Sequence, residues 1–181
     1  MTGTTQSDQL DDAAADTLTA VRERTHGWAD PQLTAGAAAG MSGLEFFAAM
    51  AGGRVARPPI MATLDFDGIS FEEGRVEFRL TPKEFHYNPI GSVHGGVFAT
   101  LLDSACGCAV HTRLPAGVFY TSLDLSVKFL RPVTVATGPI TAVGTVVHLG
   151  RRTALAEGRL LDAEGRIYAT ATSSCLVMRP E

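Results

Sequence analysis

The residues best suited to chemistry lie between positions 85 and 131. His94-Gly95-Gly96 opens a run in which Val97, Leu101, Leu102, Ala105, Cys106 and Ala109 recur at helical spacing. A helix that begins on two glycines has no side chains covering its first amides. Those N–H groups find no acceptor within the helix, and the helix dipole favours negative charge beside them. The start of this helix is therefore a place to hold a carbonyl oxygen that gains charge during reaction. Asp103 follows, alone among small and apolar neighbours and too far along to cap the helix. A carboxylate in such a segment is costly unless it has partners or a task. The task it suits is proton abstraction from water or attack on an acyl carbon. The competing reading is an ordinary solvent-facing aspartate.

Gly95 and Asp103 are eight residues apart, which is ~12 Å along one helix axis. A single reacting carbonyl can hardly touch both on one chain. If both serve one substrate, the simplest site takes one residue from each of two chains.

Asn88 stands six residues before His94, and Ser122-Leu123-Asp124 and Phe129-Leu130-Arg131-Pro132 come later. This pattern, over roughly positions 61 to 178, resembles the PaaI-type acyl-CoA thioesterases of the hotdog fold. The resemblance implies an α+β fold: an antiparallel sheet of about six strands wrapped around a long central helix, with an extra N-terminal helix. It implies hydrolysis of an acyl-CoA to free acid and coenzyme A. Gly95 would polarise the thioester carbonyl, and Asp103 would act as base or nucleophile. Asn88 and Ser122 would position water or carbonyl, and His94 would support the oxyanion site. Gly96, Asp124, Arg131 and the basic turn His148, Gly150, Arg151, Arg152 and Thr153 are the expected contacts for substrate and coenzyme A, since guanidinium groups suit phosphate oxygens. Coenzyme A enters as part of the substrate, with no cofactor and no metal. A dimer is expected, with a tetramer as the alternative. Residue by residue, plainer readings stand beside these: a turn asparagine before proline for Asn88, a strand serine for Ser122, a solvated hairpin tip for Arg151 and Arg152. Two other functions remain open. One is a non-catalytic acyl-CoA-binding hotdog module. The other, less favoured, is an enoyl-CoA hydratase, whose Asp and His lie five apart, whereas Asp103 and His111 lie eight apart.

The elements that must position these residues follow from pattern. Residues 1 to 40 are expected to be a poorly ordered or helical extension, and 41 to 181 the hotdog domain. Met1 to Asp16 is polar and acidic. Leu18 to Arg24 suits a short helix, ended by Trp28-Ala29-Asp30-Pro31. Met41 to Met50 reads as a helix capped by Ser42, with Glu45 completing a capping box. A cover for a sheet edge or an oligomer contact is favoured for it over a lid or acyl-pocket wall. Arg57-Pro58-Pro59 reads as an extended connector. Ile60 to Phe71 and Arg75 to Leu80 read as strands, and Leu114-Pro115-Ala116-Gly117 ends the central helix. Phe119 to Phe129 alternates, placing Tyr120, Ser122, Asp124, Ser126 and Lys128 on one face. Residues 133 to 147 form a strand kinked at Gly138-Pro139, followed by strands at Ala154 to Leu161 and Ile167 to Met178.

The 181 residues fit one domain with terminal excess, and 45% hydrophobic content supplies a core. Net charge is −4 with no basic block, which argues against a nucleic-acid partner. The three cysteines, Cys106, Cys108 and Cys175, suit small core residues in a reducing compartment rather than a disulfide framework or zinc site. The opening residues lack a signal-peptide pattern, and the longest uncharged run is rich in threonine and broken by Gly138-Pro139, unlike a membrane span. The cytoplasm is the expected location.

Overall fold

A computed structural model describes residues 21–179. Met1 to Asp16, the expected polar tail, lies outside the described residues. So does most of the helix expected at Leu18 to Arg24, and the part described, 21–24, is not helical.

Three helices come first: α1 (Pro31–Ala39), α2 (Gly43–Ala51) and α3 (Pro59–Thr63). Asp30-Pro31 was expected to end a helix and instead begins one. The Asp30 carboxylate accepts from Gln32 N–H, and Pro31 takes the first helical position, where its missing N–H costs nothing. Helix α2 is capped as expected: Ser42 accepts from Glu45 N–H, and Glu45 reaches back to Ser42. Pro59 starts α3, so Pro58-Pro59 is a helix start and not a connector, and the strand expected from Ile60 begins only at Gly68.

The strands are β1 (Gly68–Glu72), β2 (Arg75–Leu80), β3 (Phe119–Phe129), β4 (Ile140–Leu149), β5 (Thr153–Asp162) and β6 (Ile167–Met178). They form one sheet in the order β1-β2-β4-β5-β6-β3, with every pair antiparallel. The long helix α4 (Gly95–His111) packs against β2 through β6. This is the hotdog layout. Its apolar stripe is fully buried: Leu101, Leu102 and Ala105 share a core with Val76, Leu80, Ile140 and Leu160, and Val110 one with Leu114, Ala154 and Cys175. The close packing has a specific cause: a Cβ on Gly144 would sit 2.2 Å from the Ala105 carbonyl carbon, so β4 needs glycine where α4 crosses it. Residues 135–137 form a short 3-10 turn, so β4 starts after the Gly138-Pro139 break and not before it. At the β5–β6 turn, the fully buried Asp162 carboxylate ties the hairpin together. It accepts from Arg166 N–H at 2.8 Å, Glu164 N–H at 3.1 Å and the Tyr168 hydroxyl at 3.1 Å.

One local irregularity decides which side chains meet α4. A β-bulge at Leu123 interrupts the pairing of β3 with β6. It reverses the alternation from there on. Tyr120 and Ser122 face α4, and beyond the bulge Leu125, Val127 and Phe129 do. The expected shared face of Tyr120, Ser122, Asp124, Ser126 and Lys128 is therefore split in two.

Candidate active site

Helix α4 begins where His94 caps it. The His94 Nδ1 accepts from Gly96 N–H at 2.8 Å, and the His94 carbonyl accepts from Val97 N–H at 2.9 Å. Together these caps occupy two of the first helical amides. The Gly95 N–H is left with no acceptor among the described residues. Gly96 was expected to touch substrate; its amide is instead spent inside the cap. The Nδ1 lone pair of His94 is thereby engaged in the cap. The residue's own N–H donates to the His86 carbonyl at 2.8 Å. The His86 ring is in turn buried, accepting from Lys83 N–H at 3.0 Å and donating to the Leu64 carbonyl at 2.9 Å.

Gly95 opens onto a cleft of ≈ 380 Å³ shared with Asn88, Phe98, Phe129 and Arg131. Asn88 Oδ1 accepts from Ile90 N–H at 3.0 Å and Ser92 N–H at 3.2 Å, and its Nδ2 donates to Ser92 Oγ at 3.0 Å. These bonds make it a turn residue that shapes the loop, with one amide hydrogen left over. The Arg131 guanidinium donates to the Ile167 carbonyl.

Asp103 is exposed on this chain, beside strand β3. Ser122 Oγ donates to its Oδ1 at 3.0 Å. The bulge makes this possible by keeping Ser122 on the helix side while sending Asp124 to the other. Asp124 accepts from the Ser174 hydroxyl at 2.5 Å and Ser174 N–H at 3.1 Å, which hold its carboxyl below the usual range. The structure therefore does not bring Asp124 to Asp103. The basic turn is tighter than expected: His148 belongs to β4, Thr153 to β5, and only 150–152 turn, closed by Gly150 N–H to the Thr153 carbonyl at 2.8 Å. Arg151 and Arg152 are exposed, with no ion pair among the described residues. Their hairpin shares a row of the sheet with Ser122, through Ser122–Cys175–Ala154–Leu149. Gly95 lies at the other end, under Phe129.

The candidate residues thus fall into two groups on one chain: Gly95 with Asn88 and Arg131 around one cleft, and Asp103 with Ser122 towards the basic hairpin. The cysteines Cys106 and Cys108 are poorly suited to act as nucleophiles. Burial pushes the Cys106 and Cys108 thiols up to about 12. Just beyond Asp103, Ser104, Cys108 and Tyr120 line one cavity, a grouping that no single segment of sequence announces. The glycine at 107 was a local hint, since a Cβ there would meet Tyr120 Cε2 at 2.8 Å.

Comparison with known proteins identifies the family and the fold. Residues 90–169 match the family model of the thioesterase superfamily. A candidate esterase of Halobacterium salinarum is 35% identical over 132 residues, spanning 65% of this chain and 85% of that protein. The chain therefore belongs to the thioesterase superfamily, as a thioester hydrolase of the hotdog fold. Among solved structures, a candidate thioesterase of Ralstonia eutropha related to phenylacetic acid degradation superposes with a TM-score of 0.65 at 28% identity, covering 72% of this chain and 98% of that one. The Escherichia coli PaaI protein shares the fold, with a TM-score of 0.65 at 23% identity over 76% of this chain and 96% of its own. Among the described residues, no helix is long and apolar enough to cross a membrane.

Proposed function

We propose that this chain hydrolyses acyl-CoA thioesters at a site completed by two copies of itself. The Gly95 N–H of one copy takes the thioester oxygen as it gains charge. Asp103 of the other accepts a proton from the attacking water, using the oxygen that Ser122 leaves free. The thiolate of coenzyme A leaves without needing a full triad. Asn88 and Arg131 border the carbonyl side, and Arg151 and Arg152 offer unpaired guanidinium groups to coenzyme A phosphates. Coenzyme A enters as substrate, and the chemistry calls for no cofactor or metal. Three unpaired cysteines suit a reducing compartment such as the cytoplasm.

The observation that carries this reading is the complementary state of the two half-sites. A donor without a partner and an exposed, hydrogen-bonded carboxylate sit on one helix, ~12 Å apart by rise per residue. The edge of the sheet supports the pairing. Strand β3 is an outer strand of 11 residues, and Phe119, Leu123 and Phe129 along it are 42%, 60% and 57% exposed. A long apolar edge of this kind is a pairing surface. A thiol-release assay with DTNB and a panel of acyl-CoAs, comparing the wild type with Asp103→Asn, tests the reading. A hundredfold or greater loss, of the order seen for a removed acid–base group, is expected; full turnover in the variant overturns it. Under single turnover in ¹⁸O-water, label in the Asp103 carboxyl would mark a nucleophile rather than a base.

A further inference from the structure

A second cavity, of ≈ 320 Å³, lies between α4 and the N-terminal helices. Its floor is one face of α4, where Ser104, Cys108 and His111 recur at helical spacing. Its roof is Phe46, Phe47 and Met50 of α2 with Ile60 and Met61 of α3. Part of its lining adjoins the proposed base. Ser104 adjoins Asp103, and Tyr120, which also lines the cavity, stands two residues before the Ser122 that holds Asp103. Aromatic rings crowd its His111 side. The His111 ring meets Phe46 at 5.4 Å, Phe47 at 5.5 Å and Tyr120 at 5.6 Å between centroids. Behind those rings α2 docks with no gap: Gly43 N–H donates to the Leu114 carbonyl at 3.0 Å, and a Cβ on Gly43 would lie 1.8 Å from the His111 carbonyl oxygen.

We propose that this cavity is the acyl-group subsite, and that α2 and α3 set its size limit. It admits a compact apolar acyl group, a single ring or a short chain, and excludes long fatty acyl chains. The proposal rests on the acyl-CoA reading above and adds the acyl class. From Ser104 to the rings at His111 is seven residues, roughly 10 Å of helix axis, which accommodates a ring on a short linker. The lining is apolar and rich in rings, as suits a flat hydrophobic group. Burial pushes the His111 pKa down, which disfavours a charge on that wall. The roof comes from residues 46–61, outside the segment that matches the family model, so the limit belongs to this chain's own N-terminal helices.

The test is kcat/KM of the full chain for acetyl-, hexanoyl-, phenylacetyl- and palmitoyl-CoA. Hexanoyl- and phenylacetyl-CoA should exceed palmitoyl-CoA by at least about tenfold, the scale on which apolar pockets discriminate by size. Ser104→Leu, which narrows the cavity, should lower the phenylacetyl-to-acetyl ratio by about tenfold or more. Palmitoyl-CoA turned over as well as hexanoyl-CoA, or an unchanged ratio in Ser104→Leu, overturns the subsite while leaving acyl-CoA hydrolysis standing. Calorimetric binding of the same thioesters to Asp103→Asn separates the two claims. Size-selective binding without turnover in the wild type keeps the subsite and overturns acyl-CoA hydrolysis. Absence of selectivity in both turnover and binding overturns the subsite.

Discussion

Gly95→Pro removes one hydrogen and little else. Position 95 is the first residue of α4, where proline's fixed φ and missing N–H are tolerated. The amide it deletes is the one left without an acceptor by the His94 cap, so no native hydrogen bond among the described residues is lost. The added ring carbons meet Phe129, whose Cζ lies 3.1 Å from the built Cβ position. Phe129 is 57% exposed, so its ring has room to turn. The thermodynamic cost to the fold is therefore small, and the kinetic cost is that of a lost oxyanion donor, about 10²–10³ in kcat. Gly95→Ala is the control: it introduces the same first carbon beside Phe129 but keeps the N–H. Thiol release under saturating acyl-CoA, with melting temperature measured alongside, reads both. The expected outcome is a loss of at least about a hundredfold in Gly95→Pro and a much smaller one in Gly95→Ala. Near-wild-type kcat in Gly95→Pro, or an equal loss in Gly95→Ala, would show that the amide is not the donor.

Ser122→Ala should lower kcat by about ten- to a hundredfold while leaving KM little changed, because Ser122 orients Asp103 rather than binding substrate; a change in KM alone would argue against that role. Stability should fall on acidification from about pH 8 to about pH 5, as read by melting temperature. Burial holds the pKa values of His86 and His111 below the ordinary 6.5, so the unfolded chain binds protons first. Their contribution is complete above 6.5 and is lost as pH falls through the lower folded values. His86→Gln should flatten part of this slope, and an unchanged slope in that variant would remove His86 from the account.

Much of this architecture was legible because local pattern and burial agree. The strands Arg75–Leu80, Phe119–Phe129 and Ile167–Met178 lie where alternation placed them, and the buried stripe of α4 is the one its spacing predicted. The Ser42–Glu45 capping box likewise carries its own evidence in four residues. Where reading failed, the deciding information was either misassigned or non-local. Asp30-Pro31 and Pro58-Pro59 are start signals for helices that were read as stops or spacers. The bulge at Leu123 depends on pairing with β6, and no feature of β3 alone announces it; it is what parts Asp124 from Ser122. Helix α2 was expected to cover an edge or an interface. It does meet the edge strand β1, with Phe47 and Phe71 rings 5.6 Å apart, and it also roofs a cavity, because three helices and three strands converge there in a way no single segment encodes. The separation of Gly95 from Asp103 was legible because both lie on one helix, where spacing in sequence fixes distance along the axis.

The most direct test of the shared site is subunit complementation. Gly95→Pro and Asp103→Asn, each inactive alone, are mixed under conditions that exchange subunits, and thiol release from an acyl-CoA is measured. A mixed dimer then holds one site with both defects and one with neither. At random pairing half the dimers are mixed, so activity should return to about a quarter of the wild-type level. Failure to recover any activity, with mixed dimers demonstrated by mass spectrometry, would mean that Gly95 and Asp103 of the same chain do not part company in catalysis, and the two-chain site would be wrong.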